Sequence, residues 1–115
     1  MNEAQFTQEV ERIFVAIEDA VEEAIEESGS GSGAELDYEG SGGLLTIDCE
    51  DSNTQVIVSR QVALLQIWVA AKSGGFHCEH RDDGWFCTTT DESLKDLLNR
   101  VLSEQSESTV TLDWV

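Results

Sequence analysis

The chain has 115 residues, 40% of them hydrophobic, which is enough for one domain with a single core and too few for two. A formal net charge of −18, from 24 acidic residues against six basic ones, excludes nucleic acid and anionic membrane as natural partners and favours cations and basic proteins. No run approaches the ~20 apolar residues of a membrane span and no signal-peptide pattern opens the chain, so the expected compartment is the cytoplasm, with the three cysteines reduced.

The charge is lopsided: 12 of the 24 acidic residues lie in positions 1–39, and Arg12 is the only basic residue before Arg60. A first helix is expected from Glu3 to Glu27. At about 100° per residue, Phe6, Val10, Ile13, Phe14, Ile17, Ala20, Val21 and Ala24 share its apolar face. Glu11, Glu18, Asp19, Glu22, Glu23, Glu26 and Glu27 share the wet face. Glu18 and Glu22, Asp19 and Glu23, and Glu22 and Glu26 are each four residues apart, so their side chains are neighbours and repel. A hard cation between two such carboxylates would relieve that repulsion. With no enclosure and no histidine, such a site is weak, unselective and salt-sensitive. The plain alternative is a solvated helix face.

Ser28-Gly29-Ser30-Gly31-Ser32-Gly33 reads as a flexible link from helix to sheet. Proline is absent where average usage would give roughly six. A cold-adapted sequence and an edited one both fit these two features.

Strands are expected at Ala34 to Glu39, at Leu44 to Glu50 with Leu45, Ile47 and Cys49 on one face, at Gln55 to Arg60, and at Leu64 to Ala71. Asp51-Ser52-Asn53 reads as a turn. In the fourth strand Leu65, Ile67, Val69 and Ala71 alternate with Gln66, Trp68 and Ala70. If the first set faces the helices, Trp68 stands on an open sheet face beside Gln66, where a tryptophan is a natural interface anchor. The inverse puts Trp68 in the core.

Ser73-Gly74-Gly75 reads as a break, followed by a hairpin of Phe76 to Arg81 and Trp85 to Thr89 across Asp82-Asp83-Gly84. His77 and His80 point to opposite faces of their strand and cannot chelate one ion together. Cys87 lies across from Cys78 or from His80, depending on register; sheet packing is a better account of it than a metal.

A second helix starts after Thr90, which with Ser93 offers N-cap chemistry, and carries an apolar stripe of Leu94, Leu97, Leu98, Val101 and Leu102. Thr109 to Val115 is apolar enough to dock back. Short links between successive strands favour an antiparallel sheet. Each helix has one apolar face, so the expected fold is α+β: a two-layer sandwich with the N- and C-terminal helices on one face of the sheet, as one domain over 1–115.

Ser41-Gly42-Gly43-Leu44-Leu45-Thr46-Ile47, Ser59-Arg60-Gln61, Gln66-Ile67-Trp68-Val69-Ala70-Ala71-Lys72-Ser73-Gly74-Gly75-Phe76-His77, Trp85-Phe86-Cys87 and Leu94-Lys95-Asp96-Leu97-Leu98 follow one another behind the acidic helix. With these blocks the chain resembles the bacterial frataxin (CyaY) family over nearly its whole length. It departs from the family at Val62-Ala63, where an acid and a proline are usual, and in its Gly/Ser stretch.

The resemblance implies a frataxin-like α–β sandwich that binds iron (Fe²⁺ or Fe³⁺) weakly, with other divalent cations competing. It implies a part in iron–sulfur cluster assembly, delivering or sensing iron and modulating the cysteine desulfurase, with the iron–sulfur scaffold protein as a further partner. The family's acidic ridge maps to Glu11, Glu18, Asp19, Glu22, Glu23 and Glu26, and to Asp37 and Glu39. Its partner surface maps to Gln61, Gln66 and Trp68, with Glu18, Asp19 and Glu22 shared by metal and partner. A monomer is expected, with iron-induced oligomers left open. No nucleophile elbow, phosphate loop or HExxH is present, so the expected role is not catalytic beyond a slow ferroxidase-like reaction. The alternative function is a plain acidic interaction domain, or an engineered frataxin scaffold, with incidental cation binding.

Overall fold

The structure, a computed structural model, describes residues 1–27, 36–82 and 84–114. The Gly/Ser stretch and Ala34 lie outside these, so the expected link and the start of the expected first strand are not described.

Helix α1 spans Glu3–Glu27. A reciprocal cap starts it: Gln5 N donates to Asn2 Oδ1 at 2.9 Å, and Asn2 N donates to Gln5 Oε1 at 3.0 Å. Its expected apolar face is the face it buries, from Phe6 (fully buried) through Val10, Ile13, Phe14, Ile17 and Ala20 to Val21; Ala24 is half-buried at the end.

Six strands follow: β1 Leu36–Ser41, β2 Leu44–Cys49, β3 Thr54–Gln61, β4 Gln66–Ala71, β5 Gly74–Arg81 and β6 Gly84–Cys87. They pair in chain order and antiparallel, so β1 and β6 are the two edges. Strand alternation puts Leu45, Ile47, Cys49, Val56, Val58, Ile67, Val69, Cys78, Trp85 and Cys87 into the core.

Helix α2, Leu94–Ser106, buries Leu94, Leu97, Leu98, Val101 and Leu102. Its N-cap is Ser93, whose hydroxyl accepts from Asp96 N at 3.1 Å. Thr90 instead accepts from Glu92 N at 3.3 Å in the approach. The tail docks as its composition suggests. Val110 and Leu112 are buried, and Asn99 brackets Leu112, donating to its carbonyl at 3.0 Å and accepting from its N–H at 2.7 Å. Both helices therefore cover one face of the sheet, the arrangement the apolar faces require.

Near its C-terminal end α2 buries a polar residue. The Gln105 amide donates to Thr54 Oγ1 at 3.0 Å and to Gln55 O at 3.1 Å, while its oxygen accepts from Lys72 N at 2.7 Å. One side chain thus ties the helix to the start of β3 and to the β4–β5 turn, and its burial is fully compensated.

Several expected boundaries shift. The first strand runs on to Ser41 rather than ending at Glu39, because Ser41 still pairs with Leu44 across a Gly42-Gly43 turn at φ 55° and 84°. The fourth begins at Gln66 rather than Leu64, because Val62–Leu64 forms a 3₁₀ turn ended by Leu65 at φ 53°. Gly74 and Gly75 are inside β5 rather than a break, since Ala71 pairs with Gly74 across Lys72-Ser73. Similarly Gly84 belongs to β6, paired with Arg81.

Candidate functional site

Helix α1 lies against edge strand β1, and its contact line is acidic. Glu11, Val15, Glu18 and Glu22 follow one row at four- and three-residue spacing. At the far end of that row the Tyr38 hydroxyl donates to Glu22 Oε1 at 2.6 Å. That hydrogen bond first, then desolvation and the charges of Glu22, Glu18 and Asp19, push the Tyr38 pKa up to about 12. One turn earlier, Glu18 comes so close to β1 that a Cβ on Gly40 would stand 3.0 Å from its Oε1. Gly40 is therefore where the helix carboxylate meets the strand backbone.

Asp19, Glu22, Glu23 and Glu26 are exposed, as is Glu11, while Glu18 is half-buried. Asp37 and Glu39 are exposed on β1, but alternation directs them to the side opposite Tyr38 and Gly40. The expected ridge is thus split by the strand: helix acids lie on one side, Asp37 and Glu39 on the other. The Asp37 carboxylate is partly engaged, accepting from Tyr38 N at 2.9 Å. Among the described residues no three His, Cys, Asp or Glu side chains converge on one metal position. What the row offers a cation is pairs of carboxylates in water.

The open face of the sheet carries Gln61, Gln66 and Trp68, with the opposite face of β4 buried through Ile67 and Val69. Trp68 is half-buried rather than free. Its ring stacks on His77 of β5, its register partner, with centroids 4.2 Å apart and planes 9° apart. Its Nε1 donates to Gln66 Oε1 at 2.8 Å. Gln61 Nε2 donates to Ser59 Oγ at 3.3 Å. The indole is held flat and in one orientation, which lowers the entropy an interface contact would have to overcome.

His80 points to the helix side, edge-on to Trp85 with centroids 5.3 Å apart, so the two histidines do lie on opposite faces. Cys87 pairs with Cys78, not with His80. Both thiols are buried and free, and burial pushes Cys78 up to about 12, which leaves it a packing group.

Two participants escaped the sequence. Tyr38 holds Glu22, and His77 holds Trp68. Alternation in β1 places Tyr38 opposite Asp37 and is legible once the strand is located. The Trp68–His77 pairing depends on the β4–β5 register, which the Gly-Gly pair disguised.

The family model for the frataxin-like domain matches residues 1–108. Two relatives carry the name iron–sulfur cluster assembly protein CyaY at similar levels of identity. The Vibrio cholerae protein is 36% identical over 119 residues, covering all of both chains. The Colwellia psychrerythraea protein is 37% identical over 112 residues, covering 97% of each. A third of that name, from Stutzerimonas stutzeri, is 47% identical over 108 residues, covering 91% of this chain and 89% of its own. Among solved structures, a frataxin from Psychromonas ingrahamii, described as a model for stability modulation within the CyaY protein family, aligns with a TM-score of 0.79 at 31% identity, covering 99% of this chain and 100% of that one. The chain belongs to the frataxin-like (CyaY) family.

Proposed function

We propose that this protein acts in iron–sulfur cluster assembly, as the relatives' name states for them, by carrying iron weakly and modulating the cysteine desulfurase. The observation that supports this best is the exposed acidic row of α1. In a chain of net charge −18 it is a concentrated hard-oxygen surface left in water. Glu11, Glu18, Asp19, Glu22, Glu23 and Glu26 would share iron as cargo two carboxylates at a time, with Asp37 and Glu39 forming a second, separate pair across β1. Such sites exchange fast, which suits delivery rather than storage. The same acids complement a basic desulfurase surface, and Gln61, Gln66 and the oriented Trp68 supply a contact for that enzyme or the scaffold protein.

The test has two parts. Exchanging Glu18, Asp19, Glu22 and Glu23 for Gln and Lys is expected to abolish iron-induced NMR broadening along α1. Retained broadening would remove the iron role. Desulfurase turnover is then followed with this protein and iron present or absent; Trp68→Ala should leave iron binding intact and weaken the effect on turnover.

A second reading is favoured by the lack of convergent ligands among the described residues. In it the domain is an acidic interaction module with incidental cation binding. It predicts that Ca²⁺ and Mg²⁺ compete with iron on equal terms and that the desulfurase does not respond.

A further inference from the structure

Cys78 and Cys87 are register partners on neighbouring strands, both fully buried on the helix side of the sheet. The backbone decides which kind of pair they form. Thr88 N donates to His77 O at 2.8 Å, so the next pair along is hydrogen-bonded. Cys87 N instead turns away from β5 and donates to Glu92 O at 2.8 Å. Cys78 and Cys87 are therefore a non-hydrogen-bonded pair, in which opposed Cα atoms stand about 4.5 Å apart and the side chains are closest. Disulfides span roughly 4.4–6.8 Å between Cα atoms, so this pair can close with little movement of either strand. The third cysteine cannot compete. Cys49 is on β2, three strand spacings or about 14 Å from β5, with Leu36 and Thr54 as its register partners.

The two thiols are not equivalent. Burial pushes Cys78 up to about 12. Cys87 ends β6 beneath an exposed Thr88-Thr89-Thr90-Asp91 loop. That loop, with Glu92, engages both of its backbone groups, since Asp91 N donates to Cys87 O at 3.0 Å. Its Sγ lies 3.4 Å from Thr89 Oγ1. Burial works to raise Cys87 as well, but hydrogen bonds from the hydroxyls and backbone of Thr89 and Thr90 together outweigh it and hold the thiol below its ordinary 9.0. A thiolate-prone cysteine beside a second thiol is the arrangement of an attacking and a resolving pair.

We propose that Cys78 and Cys87 are a peroxide-sensitive dithiol that closes into a cross-strand disulfide joining β5 to β6. The Cys87 thiolate attacks one oxygen of hydrogen peroxide. The O–O bond breaks, hydroxide leaves and takes up the proton the thiol had released, and Cys87 becomes a sulfenic acid. The Cys78 sulfur then attacks the Cys87 sulfur, its proton passes to the departing hydroxyl, and water leaves. Two thiols lose two electrons to one peroxide, which becomes two waters. Peroxide is little larger than water, so a local opening of the threonine loop admits it to Cys87 without unfolding the sheet. In the reduced protein Cys78 is a packing group; in the oxidised one it holds the edge strand. The Cα spacing sits at the short end of the disulfide range, where the bond is strained and easily reduced, so the lock is reversible.

The test uses the whole folded protein, treated with hydrogen peroxide in the presence of a metal chelator, then denatured, alkylated and digested with trypsin. Cleavage after Lys72, Arg81 and Lys95 puts the two cysteines in separate peptides, so the disulfide registers as a linked pair that reduction separates. The expected product is Ser73–Arg81 joined to Asp82–Lys95, with Cys49 still alkylated. Reduced glutathione should reopen the link in the folded protein. Cys87→Ser should slow oxidation of Cys78 by about tenfold or more, whereas Cys78→Ser should leave Cys87 as a sulfenic acid that dimedone traps. The proposal is overturned by the absence of a linked pair from the folded protein, by a link to Cys49, or by a link that glutathione leaves intact. Oxidation of Cys78 as fast in Cys87→Ser as in the parent overturns it too. The linked pair and its reopening are read on the unsubstituted chain, so a folding defect in either variant does not obscure them.

Discussion

Tyr38 is the only tyrosine in the chain, and its hydroxyl sits on Glu22 at 2.6 Å. It is therefore a single-residue reporter of the acidic row. Its ionisation, followed by ultraviolet difference absorbance, should be centred at about 12 instead of the ordinary 10.0, and Glu22→Gln should bring it back towards that value. A midpoint indifferent to Glu22 would mean that the hydrogen bond is not formed in solution. Residue-level chemistry was legible where composition alone carries it, as in the acids of α1. Which acid meets the strand was not, because that depends on where Gly40 leaves room for Glu18.

Among elements, α2 and its approach carry the two clearest dependences. Ser93 caps the helix start by accepting from Asp96 N, so Ser93→Ala should cost about 1 kcal/mol in denaturant unfolding, and Ser93→Asp should recover most of it. Arg100 grips Glu92 with two donors, at 2.8 and 2.9 Å. That hydrogen-bonded pairing outweighs desolvation and holds the Glu92 carboxyl below its ordinary 4.5. A depressed carboxylate contributes stability that is present above its unfolded pKa and is lost as pH falls through its lower folded pKa. Arg100→Gln should thus be less stable than the parent at neutral pH, and the gap should close below pH 4.5. A gap constant down to the acid transition would refute the pairing. The elements themselves were largely legible: α1 and the stripe of α2 follow the helical period, and β2 alternates cleanly. The β3–β4 corner was not, because Leu65 takes a left-handed conformation without the Gly or Asn that usually signals one.

For the whole molecule, like-charge repulsion works against the compact state. A domain at −18 repels itself, and the repulsion is concentrated on one helix face. Added salt should raise the melting temperature monotonically towards ~1 M, where the screening length falls to about 3 Å. Glu18→Gln/Glu22→Gln should melt higher than the parent at low salt, with a flatter salt response. A melting temperature insensitive to salt would show that the folded and unfolded chains repel themselves equally. The sandwich itself was legible because two amphipathic helices and one alternating sheet admit few arrangements. The position of Asp37 and Glu39 was not, because sequence order does not reveal on which side of an edge strand the helix settles.

That edge has a consequence for colloidal behaviour. A terminal strand ordinarily exposes a row of backbone donors and acceptors on which a neighbouring molecule can build another strand. In β1 the N–H of Tyr38 is occupied by the carboxylate of Asp37, and acids stand on both of its sides, Glu18 and Glu22 on one and Asp37 and Glu39 on the other. A second copy approaching strand to strand would meet its own charges in duplicate and would have to displace an internal hydrogen bond. Acids on both sides of β1 thus oppose strand-to-strand addition of a second copy, and neutralising them, by acid or by an added cation, should weaken that opposition.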